Sequence, residues 1–367
     1  MTDLFTSPLH ERHQQAGAKF GEFGGWLMPL EYTGGGVLAE HAAVREHVGI
    51  FDVSHLGKVL VAGPGAAEYL NTQLTNDLAR IVSGKAQYQL LCNEDGGVVD
   101  DLIAYLKSPD EVLLIPNAAN CETVAGILGA GAPSGVRVEN QHRDYAILAV
   151  QGPDSAHVVG SLGLPTDMDY MAFASADFHG VPYTVCRSGY TGERGYELVV
   201  PNQAAAGLWD ALFEAAPDAR PCGLGARDTL RTEMGYPLHG QDISPTVDPV
   251  SAGLSWAVGW NKPTFRGAEM LRRIRQAGPA RRLRGLRAVD RAIPRHGMPV
   301  VVSGGALDAE PMGEVTSGTF SPSLRQGIGL AFVSAQVVPG DHVGVVIRNH
   351  VADFEVVKPP FVAPEVR

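Results

Sequence analysis

Two adjacent carboxylates, Asp100 and Asp101, follow a Gly96-Gly97 turn and interrupt an otherwise apolar, β-rich run. Strand side chains alternate between the two faces of a sheet, so these aspartates must point in opposite directions. The face of Asp100 is the more apolar and is expected to pack inward, whereas Asp101 shares its face with Tyr105. An acid beside an aromatic ring suits a flat ligand with polar edges. Taken alone, however, the stretch is better explained by aspartates that cap and solvate a hairpin turn.

Familiar catalytic templates are missing from the sequence, which has no GxSxG elbow, no HExxH and no Walker phosphate loop. The stretch Gly223-Leu224-Gly225 falls short of GxGxxG because Asp228 stands where the third glycine belongs. A nicotinamide-binding fold is therefore poorly supported. We interpret His55 as a hydrogen-bonded structural residue rather than as a catalytic base.

A scattered set of acids, aromatics and one arginine remains at predicted junctions between turns and strands. Each member alone is best explained as a residue that satisfies its own loop. Together they match the needs of a pterin with a glutamyl tail, which are a carboxylate, aromatic faces and a cation. The residues of these types are Glu197, Tyr88, Tyr105, Tyr190 and Arg227.

Composition restricts the possible classes of protein. A chain of 367 residues with 45% hydrophobic and 19% charged residues should be globular, with two or three domains. The net charge of −11 argues against a general nucleic-acid binder, because phosphate contacts need a cationic surface. The four cysteines show no metal-ligand spacing, so we expect no metal site and a cytoplasmic protein with reduced thiols. We expect neither a signal peptide nor a membrane span.

Periodicity and turn signals predict a mixture of helices and strands. Helices are predicted at residues 7–20, 37–48, 65–73, 119–129, 202–216 and 226–235. Strands are predicted at residues 84–91, 98–106, 111–116, 145–150 and 181–187. The glycine- and aromatic-rich residues 21–32 are predicted to form a closely packed loop. From about residue 280, short strands alternate with Gly and Pro, which indicates a separate all-β unit of roughly 90 residues.

An arginine-rich segment precedes and enters this unit. Its members are Arg272, Arg273, Arg275, Arg281, Arg282, Arg284 and Arg287. The simpler interpretation is a solvated helix and linker. The alternative is a cationic patch that steers an acidic protein partner.

Five blocks of the sequence closely resemble those of one family, the aminomethyltransferase (T-protein) of the glycine cleavage system. They occur in the expected order over essentially the whole chain, at residues 51–57, 93–102, 188–193, 223–228 and 313–322. The resemblance implies an α+β fold in a three-domain cloverleaf around a central folate channel. Two interleaved α+β domains with antiparallel sheets would occupy residues 1–270, roughly as 1–54 with 140–265 and as 55–139. Residues 271–367 would form a C-terminal β-barrel domain with the arginine-rich linker.

The resemblance also implies the reaction. Such an enzyme transfers the one-carbon unit of aminomethyl-dihydrolipoyl H-protein to tetrahydrofolate, giving methylenetetrahydrofolate, ammonia and dihydrolipoyl H-protein. Tetrahydrofolate would be a co-substrate, lipoylated H-protein the partner, and neither metal, nucleic acid nor membrane would be involved. By motif, Asp101 matches the essential aspartate, and Arg295 is a weaker match to an arginine at the lipoyl arm. The positions that match residues around the folate are Tyr88, Tyr105, Asn117, Tyr190, Glu197, Arg227 and Tyr236.

The sequence departs from the family pattern at two places. Leu56 replaces a methionine found in many members, and the tail after Phe361 lacks a tyrosine that some members place near the ligand.

Three rival functions are possible. One rival is a folate-dependent demethylase of the same superfamily. Another is a non-catalytic iron–sulfur assembly factor, which is disfavoured because residues 234–242 lack that group's cysteine. The third rival is the folate-handling half of a larger oxidase. The sequence shows no flavin-type dinucleotide domain, so this chain would have to act alone.

Overall fold

The computed structural model describes residues 4–366. Met1–Asp3 and Arg367 lie outside the described residues, and part of the signal-peptide expectation falls on Met1–Asp3. The chain forms two compact units. The first holds the described residues up to Leu91, together with Asp100–Arg227 and the C-terminal stretch from Glu365. The second holds Cys92–Val99 and Asp228–Pro364. The finer domain boundaries inferred from the resemblance stay a prediction.

A small three-stranded sheet begins the first unit. Its elements are β1 (Phe5–Thr6), α1 (His10–Gln15), β2 (Ala18–Phe23) and β3 (Trp26–Tyr32), with strand order β1-β3-β2. Two predictions are wrong here. The helix expected over residues 7–20 ends at Gln15 because Gly17 takes a left-handed φ of 74°, and residues 21–32 are not a loop but mostly the β2–β3 hairpin.

The next part of the chain builds a five-stranded sheet of order β6-β7-β8-β5-β9. This part of the chain contains, in order, α2 (Gly36–Glu46), β4 (Gly49–Asp52), β5 (Val59–Ala62), α3 (Ala66–Gln73), β6 (Lys85–Cys92), β7 (Val98–Ser108), β8 (Glu111–Ile115), α4 (Cys121–Ala130) and β9 (Arg137–Asn140). Of these, β4 joins the six-stranded sheet and not the five-stranded one. Short 3₁₀ turns lie at Leu78–Arg80 and Ala118–Asn120. The predicted hairpin around Gly96-Gly97 is confirmed, and it leads into β7, which carries both aspartates.

A six-stranded sheet of order β11-β12-β13-β10-β4-β14 completes the first unit. Its further elements are β10 (Tyr145–Gln151), α5 (Ser155–Ser161), β11 (Phe173–Phe178), β12 (Val181–Cys186), β13 (Gly195–Pro201), α6 (Asn202–Ala215), β14 (Arg220–Cys222) and the first turn of α7 (Leu224–Met234), whose residues from Asp228 belong to the second unit. The apolar stripe of α6 packs on alternate residues of β10 and β13, with Leu148, Leu198 and Leu208 all fully buried. The long helix predicted over residues 202–216 is thus confirmed to within one residue.

The second unit contains a closed barrel of order β15-β18-β17-β16-β19-β20. A 3₁₀ turn at Ser255–Ala257 and α8 (Ala268–Ala277) precede it, and its strands are β15 (Arg281–Ala288), β16 (Pro299–Val302), β17 (Gly313–Ser321), β18 (Gln326–Ser334), β19 (His342–Ile347) and β20 (His350–Val357). The barrel interior is apolar and includes Leu286, Val345 and Phe354. The α+β class with a C-terminal barrel is therefore confirmed. The arginine-rich segment divides between α8 and the first barrel strand, so its second half is not a linker.

A buried polar cluster fixes the small sheet against the end of β4. His13 Nε2 hydrogen-bonds to Asp52 Oδ2 at 2.8 Å, and Tyr32 Oη hydrogen-bonds to His13 Nδ1 at 2.9 Å. Asp52 also accepts from the Ser7 hydroxyl and from the Ser54 amide. Burial alone would raise the pKa of Asp52, but the hydrogen bond and charge of His13 outweigh it and hold that pKa at about 2.

Within residues 4–366 no helix is long and apolar enough to cross a membrane. The same residues contain no group of three or more His, Cys, Asp or Glu side chains placed to hold a metal ion. All four cysteines are buried as free thiols.

Lys58 is fully buried, with 0% exposure. None of its described hydrogen bonds joins its ammonium group to a carboxylate. Its Nζ donates to the carbonyl oxygens of Ser54 and Leu56, each at 2.8 Å. Burial lowers the pKa of Lys58 to about 7, because desolvation penalises the charged form.

We expect Lys58 to make the stability of the protein rise with pH between about 7 and 10.5. In that window the unfolded chain holds a proton on Lys58 that the folded chain has released, so the free energy of unfolding should increase by up to about 1.4 kcal/mol per pH unit. Lys58→Met should remove this contribution, as measured by denaturant unfolding across the window. The control is Lys358→Met at an exposed lysine. Parallel pH profiles for wild type and Lys58→Met would contradict the expectation.

Candidate functional site

The aspartate pair on β7 is separated by the alternation of the strand. Burial alternates from Val98 to Ala104, with Asp100 fully buried and Asp101 half-buried. Burial raises the pKa of Asp100 well above its usual range, the charge of Asp101 adds to this, and amide donors oppose it. The two carboxylates therefore occupy different environments, as the face pattern predicts.

The loop after β8 supplies the donors for both carboxylates. The Asn117 amide nitrogen Nδ2 lies 2.9 Å from Asp100 Oδ1 and 2.8 Å from Asp101 Oδ1. The backbone N–H of Asn117 donates to Asp100 Oδ2 at 3.0 Å, and Asn120 Nδ2 donates to Asp100 Oδ1 at 2.7 Å. Asp100 is thus held by three N–H groups, which explains how a buried carboxylate is accommodated.

Tyr88 on β6 approaches Asp101 from the neighbouring strand. Its Oη donates to Asp101 Oδ2 at 2.9 Å. Burial, followed by the charge of Asp101, raises the pKa of Tyr88 well above its usual value. The phenol therefore stays protonated and keeps a permanent donor on the second oxygen of Asp101.

A second hydrogen-bond chain runs from the five-stranded to the six-stranded sheet. Tyr105, only 2% exposed, lies with its Oη 3.1 Å from Ser188 Oγ. Ser188 Oγ in turn donates to Glu197 Oε2 at 2.5 Å. The ring of Phe173 packs edge-on against Tyr105 with centroids 5.4 Å apart. These contacts fix one oxygen of Glu197 on β13.

Arg227 on α7 stacks over the ring of Tyr190, with its guanidinium carbon 4.8 Å from the ring centroid. Its Nη1 is buried and has no hydrogen-bond partner among residues 4–366. Burial lowers the pKa of Arg227, and the nearby Glu197 and Tyr190 oppose this shift. A buried guanidinium N–H without a protein acceptor is suited to an acceptor on a ligand.

His55 is buried at 1% exposure and packs edge-on to Phe23 with centroids 5.3 Å apart. Its Nδ1 has no hydrogen-bond partner within the described part of the chain. Burial, with the charge of Arg227 second, lowers the pKa of His55 to about 3 and keeps the ring neutral. The backbone carbonyl of His55 accepts from His142.

The first unit therefore brings most of the predicted site residues into connected contacts. These are Tyr88, Asp101 and Asn117 in one group, Tyr105 and Glu197 in a second, and Tyr190 and Arg227 in a third. The remaining two lie in the second unit. There the carbonyl of Tyr236 accepts from Arg231, and the exposed Arg295 donates to the carbonyl of Gly318 at 3.1 Å.

Sequence reasoning missed three residues that hold the site together, namely Ser188, Asn120 and Phe173. Ser188 begins one of the resembling blocks, so a signal for it was present in the sequence. Asn120 and Phe173 carry no such signal, because their roles depend on contacts across the fold.

Known families account for nearly the whole chain. Residues 9–262 match the family described as GCVT N-terminal domain, and residues 281–363 match the glycine cleavage T-protein C-terminal barrel domain. This chain belongs to the glycine cleavage T-protein family of aminomethyltransferases.

Full-length relatives support the same assignment within this aminomethyltransferase family. The chain is 60% identical to the aminomethyltransferase of Frankia alni over 364 residues, covering 99% of each chain. It is 54% identical to that of Mycobacterium tuberculosis over 369 residues, covering 100% of this chain and 99% of the relative.

A solved structure agrees. The fold is similar to the crystal structure of glycine cleavage system aminomethyltransferase T from Bartonella henselae, with a TM-score of 0.92, 36% identity and 99% of each chain covered. The chain is thus an enzyme that transfers an aminomethyl one-carbon group, and nothing in these relatives favours the demethylase or the iron–sulfur assembly factor.

The contacts predict different structural roles for the two aspartates. Asp100→Ala should lower the free energy of unfolding by about 2–4 kcal/mol, since it removes the fully buried acceptor of three N–H groups. Asp101→Ala should lower it by less, about 1 kcal/mol, because the side chain is half-buried, so water can replace its oxygens beside Tyr88 and Asn117, and because its loss removes repulsion on Asp100. Urea unfolding of the two variants measures the difference, and equal losses would contradict the separation of roles.

Proposed function

We propose that the aminomethyl donor is lipoylated H-protein and that the acceptor is tetrahydrofolate. The products are then methylenetetrahydrofolate, ammonia and dihydrolipoyl H-protein. The family match supports this donor and acceptor. The observation that carries the chemistry is the half-buried Asp101, whose two oxygens are held by Tyr88 and Asn117 at 2.9 and 2.8 Å. A carboxylate fixed in this way is suited to stabilise developing positive charge.

The side chains of the first unit fit tetrahydrofolate as a co-substrate. Glu197 keeps accepting capacity beyond its hydrogen bond from Ser188, which matches the amino and ring N–H groups of a pterin. The buried Arg227 Nη1 offers a donor to a carbonyl or carboxylate oxygen. Tyr88, Tyr105 and Tyr190 provide the aromatic surroundings.

We assign Tyr236 and Arg295 of the second unit a role only because their sequence positions match those of family residues. Tyr236 is assigned to the folate and Arg295 to the lipoyl arm. Since Arg295 is exposed, its guanidinium is available to a partner.

When bound, tetrahydrofolate supplies the nitrogen nucleophile that accepts the one-carbon unit. The task of the protein is then to position the reactants and to stabilise charge, and Asp101 performs the second part. Positive charge grows on the one-carbon unit as ammonia leaves, and an ionised carboxylate nearby lowers that barrier. A carboxylate at this position can also accept and return a proton.

A cytoplasmic location is part of the proposal. It is supported by four cysteines that are free and buried, as is usual in a reducing compartment.

We expect Asp101→Asn to reduce the rate of tetrahydrofolate-dependent ammonia release from aminomethylated H-protein by about 100-fold or more. The amide keeps the size of the side chain but loses the negative charge, so tetrahydrofolate binding measured by calorimetry should change little. Asp218→Asn, at an exposed aspartate, is the matched control and should behave as wild type.

Two results would overturn the proposal. Near-normal turnover by Asp101→Asn with intact tetrahydrofolate binding would remove Asp101 from the reaction. Failure of wild-type protein to release ammonia from aminomethylated H-protein in the presence of tetrahydrofolate would exclude the proposed donor and acceptor.

A further inference from the structure

The side-chain amide of Asn117 has no donor capacity left for a ligand. Its Nδ2 carries two hydrogens and lies within hydrogen-bond distance of three oxygens, which are Asp100 Oδ1 at 2.9 Å, the Asp101 carbonyl at 3.0 Å and Asp101 Oδ1 at 2.8 Å. All three acceptors belong to the aspartate pair. The side chain of Asn117 is therefore directed to the protein, although the family resemblance places this position at the folate.

Asn117 is itself fixed by the fully buried Asp100. The backbone N–H of residue 117 donates to Asp100 Oδ2, and the 3₁₀ turn Ala118–Asn120 begins immediately afterwards. Asn120, within that turn, donates to Asp100 Oδ1. These anchors involve the backbone or another side chain, so they persist when the side chain of Asn117 is removed.

We propose that Asn117 is a positioning residue that, anchored by Asp100, sets the orientation of the Asp101 carboxylate for the transfer reaction. Asn117 holds Oδ1 and Tyr88 holds Oδ2, so donors on both oxygens restrict rotation of the carboxylate about its Cβ–Cγ bond. This inference rests on the proposed function, because it assigns the reaction to Asp101.

The test is Asn117→Ala in the full-length protein. With the orienting donor gone, kcat for ammonia release should fall by about 10- to 100-fold, while KM for tetrahydrofolate stays within about threefold of wild type. A donor to a carboxylate favours its ionised form, so its removal should move the acidic limb of the pH–rate profile upward by about one unit.

Two further variants separate positioning from general stability. Asn117→Ser restores a hydroxyl donor and should recover part of kcat, and it replaces Asn117→Ala if the latter does not fold. Asn120→Ala removes a donor from Asp100 while leaving the Asn117 bond to Asp101, so it should lower the unfolding temperature without moving the acidic limb.

A measurement without substrates completes the test. Carboxyl-¹³C aspartate labelling, with Asp101→Asn to assign the resonance, should show that Asp101 protonates at higher pH in Asn117→Ala than in wild type. An unchanged titration and pH profile, or a rise in KM for tetrahydrofolate with unchanged kcat, would overturn the inference in favour of a direct ligand contact. A wild-type protein without tetrahydrofolate-dependent ammonia release would instead reject the proposed function.

Discussion

The buried hydrogen-bond chain from Tyr105 through Ser188 to Glu197 is the constraint on which the site depends. Backbone hydrogen bonds satisfy each sheet internally, so the relation between two sheets must be set by side chains and connecting segments. Here Tyr105 belongs to the five-stranded sheet and Glu197 to the six-stranded sheet. The Ser188 hydroxyl lies between Tyr105 and Glu197 and hydrogen-bonds to both, so it fixes their positions relative to each other.

A short backbone segment reinforces the same junction. Met171 adopts a left-handed conformation with φ of 62°, which is unusual for a residue with a side chain. Its carbonyl accepts from Ala86 at 2.7 Å, and its N–H donates to the carbonyl of Arg187 at 2.9 Å. The strand that carries Tyr88 and the strand that leads to Ser188 are thereby joined through one residue. Residues keep a strained backbone conformation only where the surrounding contacts hold them in it, and here the bonds to Ala86 and Arg187 do so.

The aspartate pair shows how one residue type can serve two purposes at adjacent positions. Alternation along β7 sends Asp100 into the interior, where three N–H donors hold it, and leaves Asp101 half-buried beside Tyr88. Asn117 connects the two carboxylates, so the buried Asp100 can influence Asp101, the proposed reaction centre, without contacting substrate. Burial and hydrogen bonding, rather than residue type, therefore distinguish the roles.

Local features of the site could be predicted from the sequence, whereas its long-range contacts could not. The period of two separates Asp100 from Asp101, and the apolar spacing of residues 202–216 identifies α6, because both depend on neighbouring residues only. Tyr105 and Ser188 are 83 residues apart, so no local pattern reveals their hydrogen bond. For Asn117 the resemblance supplied the position, but its partners became evident only from the fold. Residues 21–32 form mostly a hairpin and not the predicted loop, because glycines typical of turns stand here within and between its strands.

The most direct test of the junction is a double-mutant cycle with Tyr105→Phe and Glu197→Gln, read out as the dissociation constant for tetrahydrofolate by calorimetry. If Tyr105 orients Glu197 through Ser188, the double variant should lose less binding free energy than the sum of the single losses. The expected coupling is about 0.5–2 kcal/mol, as for residues in one hydrogen-bond network. Losses that add to within about 0.3 kcal/mol would show that the two residues act independently and would contradict the account.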